Sequence, residues 1–157
     1  MYVDIQKGTH VSSFPSKVAS MMGQYGHVFN IVLQANADNG KLALRGDYVS
    51  FDQYEESDVT DNANTGIIRE LGADGRWIVE FTALEGEVLY LYNSPVSEYP
   101  EKEFQDEALM YNKAGERIQG ATLIVGDMAS YSDLAFTGTP QAGKAVKYAA
   151  GKFVVQP

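Results

Sequence analysis

The chain has no cysteine, and in 157 residues it has only two histidines, His10 and His27. Without thiols there can be no disulfide, no thiolate nucleophile and no Cys-based zinc site, and the redox compartment is left unconstrained. Long apolar runs are missing as well. Nothing approaches the roughly 18 residues of a spanning helix, and the N-terminus, with Asp4 and Lys7, lacks the apolar stretch of a signal peptide. The expectation is a soluble chain that is not exported by that route. Positive charge is scarce: 12 Lys and Arg face 21 Asp and Glu, a net −9. Such a chain repels a phosphate backbone and an anionic membrane alike, so neither nucleic acid nor membrane is expected as a partner.

Catalytic signatures are also lacking. There is no Gly-rich phosphate loop, no Gly-x-Ser-x-Gly elbow and no His-Glu-x-x-His run. Two isolated imidazoles with no nucleophile beside them do not make a general base, and the carboxylates fall mostly in loops. No enzyme, cofactor or metal site is expected. The turn at residues 36–40, between the stretches 27–35 and 41–44, reads as a loose hairpin or bulge and not as a calcium loop, because Ala37 takes a position that would need an oxygen ligand.

What the chain does have is 15 glycines, 10 tyrosines, 7 phenylalanines and many β-branched residues. The clearest pattern is at residues 76–82 and 87–93, read as two strands joined at 83–86. Trp77, Val79 and Phe81 share one face of the first, Val88, Tyr90 and Tyr92 one face of the second, with Leu89 and Leu91 opposite. The expected core therefore includes Trp77, Val79, Phe81, Val88 and Tyr90. Further strands are read at residues 27–35, 41–44, 48–51, 66–71, 121–125 and 128–136, in a hairpin closed by Gly115, and in a last hairpin over 144–149 and 152–156. Residues 52–66 read as a polar loop. Short strands at close spacing, with no βα alternation, argue an all-β fold, a compact antiparallel barrel or sandwich.

Residues 1–26 are small and polar around isolated apolar side chains, and they read as an extended N-terminal arm beside a single β domain over 27–157, an arm that needs a partner surface, either the domain's own flank or another protein. Charge is uneven. Residues 85–107 carry seven acids against Lys102, or −6, whereas residues 1–26 hold Asp4 against Lys7 and Lys17, and residues 138–157 hold only Lys144, Lys147 and Lys152. The two ends are the non-acidic parts, so the expected contact surface is the arm's Val11, Phe14, Val18, Met21 and Met22 with Lys144, Lys147 and Lys152. Arg45-Gly46-Asp47 spells an adhesion tripeptide, which matters only on an exposed loop. Gly46-Asp47 is read instead as turning the chain into the strand that follows.

A set of short motifs carries a resemblance. Gly46-Asp47-Tyr48-Val49, Trp77-Ile78-Val79-Glu80, Leu91-Tyr92-Asn93-Ser94-Pro95 and Phe104-Gln105-Asp106 are followed by Tyr111-Asn112 with Gly115-Glu116 and by Gly126-Asp127. Thr137-Gly138-Thr139-Pro140-Gln141-Ala142-Gly143-Lys144 with Val146 ends the series. Over roughly residues 27–157 the chain resembles small structural proteins of tailed bacteriophages that decorate or cement the capsid. The resemblance implies a non-enzymatic β domain, made in the host bacterial cytoplasm, that binds assembled major capsid protein on the outer surface of the head. Self-association as a homo-oligomer is a further expectation. The alternative is a tail-associated or surface-binding adhesive module.

Overall fold

The computed structural model describes residues 2–3, 11–21, 28–73, 75–93 and 110–157. Fourteen strands run through them: β1 (Tyr2–Val3), β2 (Ser13–Lys17), β3 (Val28–Val32), β4 (Leu42–Tyr48), β5 (Gln53–Asp58), β6 (Asn64–Leu71) and β7 (Trp77–Ala83) come first. They are followed by β8 (Val88–Tyr92), β9 (Met110–Tyr111), β10 (Arg117–Thr122), β11 (Met128–Tyr131), β12 (Phe136–Thr137), β13 (Ala145–Ala149) and β14 (Lys152–Val155). The fold is all-β. Among the described residues the one regular non-strand element is a 3-10 turn, Asp133–Ala135, and no helix is long and apolar enough to cross a membrane.

Two layers are built from these strands. β10-β3-β5-β4-β8 close into a barrel, and β12-β14-β13-β6-β7-β11-β2 form an open sheet. Five strands cannot alternate in direction all the way round a ring, so one neighbouring pair must run parallel. That pair is β3 and β5, Asn30 opposite Gln53. β1 pairs with β9 separately.

Alternation along the barrel strands sorts side chains into two cores. Ile31, Leu33, Ala43, Leu89, Leu91 and Ile118 fill the barrel. Leu42, Val88, Tyr90, Ala121 and Leu123 turn outward onto the sheet and meet Ile68, Val79, Phe81, Tyr131, Tyr148 and Phe153. β8 is therefore apolar on both faces because both are covered. The barrel interior is tight at Gly120, where a Cβ would lie 2.8 Å from Ile31 Cγ1 and 3.1 Å from Leu89 Cδ1.

Several elements depart from the sequence reading. β7 and β8 do not pair with each other; they lie in different layers, and residues 84–87 cross between them. Val79, Phe81, Val88 and Tyr90 are buried as expected, but Trp77 is half-buried at the core's edge, where Nε1 donates to Asp133 Oδ1 at 2.8 Å. β3 and β4 form no hairpin, since β3 lies between β10 and β5. The polar stretch after Asp52 contains β5, whose charges survive in a strand because Glu56 is paired inside with Lys41 at 2.6 Å. β9 pairs with β1, not with β10.

The arm takes the domain's own flank as its partner surface. Its described residues, 2–3 and 11–21, belong to the domain: β1 lies on β9. β2 pairs with β11 at the edge of the seven-stranded sheet, and Val18 and Ala19 are buried. Polar bonds hold it at intervals: Ser13 Oγ and Tyr90 Oη lie 2.7 Å apart, Ala19 N–H donates to Asp127 Oδ1 at 3.2 Å, and Ser20 Oγ donates to the Thr122 carbonyl at 2.8 Å. The Arg76 guanidinium stacks 4.5 Å above the Phe14 ring, and its Nε donates to Ser12 Oγ at 2.9 Å. The isolated apolar residues of this stretch thus have partners, but they come from Asp127, Tyr90 and Arg76, far along the chain.

At the end of the barrel where β8 finishes, three asparagines clamp the chain. Asn39 Oδ1 accepts the Asn93 N–H at 3.1 Å and an Asn112 Nδ2–H at 2.9 Å, while Asn39 Nδ2 donates to the Asn93 carbonyl at 2.8 Å. Asn112 is fully buried.

Candidate functional site at the β4–β5 end of the barrel

β3 and β5 start, and β4 and β10 finish, at one end of the barrel. This follows from strand direction. There the β4–β5 hairpin turns, and there the apolar side chains come to the surface. Val28, Tyr48, Val49 and Phe51 are exposed, as are Ile124 and Val125 just past β10. Phe51 is 86% exposed and Tyr48 59%. Among the described residues, the other large apolar side chains exposed to this degree are Leu71 and Leu134.

Local chemistry holds the hairpin rigid beneath its tip. Between Arg45 and Tyr48 the pairing with β5 shifts register. Gly46 sits at this bulge, where a Cβ would lie 2.8 Å from the Glu55 carbonyl oxygen, so only glycine fits. Phe29 and Tyr54 meet edge to face at 5.6 Å, and Tyr48 and Tyr54 at 5.5 Å. The Arg45 guanidinium lies 4.6 Å over Phe29 and 4.9 Å over Tyr54, with Glu87 Oε2 at 3.8 Å. Arg45-Gly46-Asp47 is consequently strand and bulge, not a loop apex, and its cation is occupied. At the tip, Gln53 N–H donates to the Ser50 carbonyl at 2.9 Å. Both central residues are left-handed, Phe51 at φ 49° and Asp52 at φ 59°, the signature of a type I′ turn.

The residues expected to form a contact surface do not come together. Val18 is buried; Val11, Phe14 and Met21 are half-buried; Met22 lies outside the described residues, as do His10, His27 and the acidic residues 94–109. Lys147 and Lys152 are exposed and Lys144 is half-buried, but β13 is separated from β2 by β6, β7 and β11. At about 4.8 Å per strand that is roughly 19 Å. The sequence hid the hairpin tip because Ser50-Phe51-Asp52-Gln53 contains none of the Gly or Asn that usually marks such a turn.

Elsewhere, a cavity of about 260 Å³ opens among Val11, Asp38, Lys41, Tyr131, Tyr148 and Phe153. Its polar groups are engaged in the fold: Asp38 Oδ2 accepts the Val11 N–H at 3.2 Å, Tyr131 Oη donates to the Gly40 carbonyl at 2.8 Å, and Lys41 is paired with Glu56. Among the described residues no group of three or more His, Asp or Glu is placed to hold a metal ion. A scan of family models finds no match to the chain, and neither do searches of curated proteins and of solved structures.

Proposed function

We propose that the protein is a non-enzymatic structural protein of a virion, a decoration or cement protein held by non-covalent contacts on the outside of an assembled phage head. The observation that supports this best is the gathering of exposed apolar side chains at one end of the barrel, led by Phe51. A compact two-layer domain with one apolar end suits a protein that seats on a preformed surface, and its net charge of −9 suits a position away from packaged nucleic acid. The major capsid protein is the partner this reading names, and the barrel end takes the place first given to the arm. An adhesive module acting through Arg45-Gly46-Asp47 is less well supported, since Arg45 is committed to Phe29, Tyr54 and Glu87.

The test is to mix the purified protein with expanded empty heads and, separately, with host cells. Saturable, stoichiometric decoration of heads is expected. Binding to cells with bare heads would transfer the protein to the adhesive class.

A further inference from the structure

We infer that the β4–β5 tip is a peg, and that it enters an apolar pocket rimmed by Lys or Arg on a different protein. The inference rests on the attachment reading above and adds the chemistry of the partner. Backbone conformation is the first ground. A type I′ turn is best served by Asn-Gly, and a bulky residue at its first central position clashes with its own backbone. Here that position holds Phe51, at φ 49° and 86% exposed, so the ring gains little from folding and the backbone is strained to present it. Strain of this kind persists where the surroundings fix it, and it points to use of the residue outside the fold. The bulge at Gly46 and the Arg45, Phe29, Tyr54 and Tyr48 stack supply that fixing.

Charge narrows the occupant. From residue 45 to 55 the hairpin carries Asp47, Asp52 and Glu55, all exposed, against Arg45, which is already paired. An apolar peg ringed by carboxylates is repelled by an anionic lipid surface and attracted by a basic rim. Among the described residues of a second copy, the best-formed cavities do not offer one. One of these is lined by Asp38 and Lys41, one by Asp58 and Asp61 with Lys41, and one by Glu85 and Glu87 with Arg45. None of these has more cations than acids.

Two variants test this on expanded empty heads. Phe51→Asn with Asp52→Gly gives the turn its preferred residues. Its Tm should hold or rise by about 2–4 °C, while its occupancy on heads falls at least tenfold. Asp47→Asn with Asp52→Asn should keep its Tm, bind about 3- to 10-fold more weakly at low salt, and show a flatter dependence of affinity on salt than the unmodified protein. If the unmodified protein does not decorate heads at all, the attachment reading fails first. If it does, full occupancy by the Asn-Gly variant, or a fall in that variant's Tm, overturns the peg. Salt-independent binding overturns the basic rim. Adherence to anionic-lipid vesicles, or a dimer of the free protein that Phe51→Asn dissolves, overturns the choice of partner.

Discussion

Three phenols buried between barrel and sheet set how the molecule responds to alkali. Burial drives the Tyr131 and Tyr90 hydroxyls well above the ordinary tyrosine range. Burial, with the carboxylates of Glu56, Asp38 and Asp58 nearby, pushes Tyr148 up to about 12 against the Leu42 N–H it accepts. An acid whose pKa is raised on folding stays protonated, so its contribution is complete below the unfolded value of about 10 and is lost as pH climbs from there. Each phenol removes about 1.4 kcal/mol per pH unit in that window. Tyrosinate absorbance from all three should appear together with loss of the β-sheet circular dichroism signal, not before it. At the acid end, burial works against the Glu85 carboxylate, and hydrogen bonds from the Thr60 backbone and hydroxyl and from Asn64 outweigh it, holding its pKa low. That contribution is present above the usual carboxylate range and is lost as pH falls through the lowered value; Glu85→Gln should flatten the acid side of the stability curve. Inside the barrel, Gly120→Ala must displace Ile31 and Leu89, and it should cost about 1–3 kcal/mol in urea titrations.

At the scale of elements, β2 decides what truncation does. Because Val18 is packed between the layers and Ser13, Ala19 and Ser20 bond to β8, Asp127 and β10's last residue, deleting residues 2–24 should lower Tm sharply instead of freeing a stable domain. Val18→Ala alone should cost about 2 kcal/mol. The edge β2 makes is a guarded one: Pro15 lies in it and a register shift interrupts its pairing near Lys17, and both discourage pairing with another chain. Elements with a local pattern were legible from sequence. The β6–β7 and β13–β14 hairpins lie close to where alternation and turns put them, and the fold class follows from the same signals. β2 and β5 were not legible, because neither alternates. β2 is stabilised by partners more than 60 residues away, and β5 is a polar strand whose one buried charge depends on Lys41. The layer change between β7 and β8 was equally hidden, since alternation tells which face is buried but not against what.

For the whole molecule, the candidate site lay beyond sequence reasoning for a physical reason: exposure is a property of what the rest of the chain leaves uncovered. Tyr48, Val49 and Phe51 look like core residues in one dimension. On the proposed attachment, a tip of this size buries less than the roughly 800 Å² per partner of a standard interface, so single copies should dissociate readily, and occupancy on heads should fall on dilution. The asparagine clamp has a separate use. Asn39 holds Asn93 and Asn112, so the separation of those two residues is fixed by Asn39. Closing a loop twice as long costs only about 0.6 kcal/mol more. A foreign epitope of twice the length grafted in place of residues 94–109 should therefore melt with nearly the same Tm, and the same graft in an Asn39→Ala background should not. The clamp makes this end of the barrel a port for peptide display, opposite the β4–β5 tip.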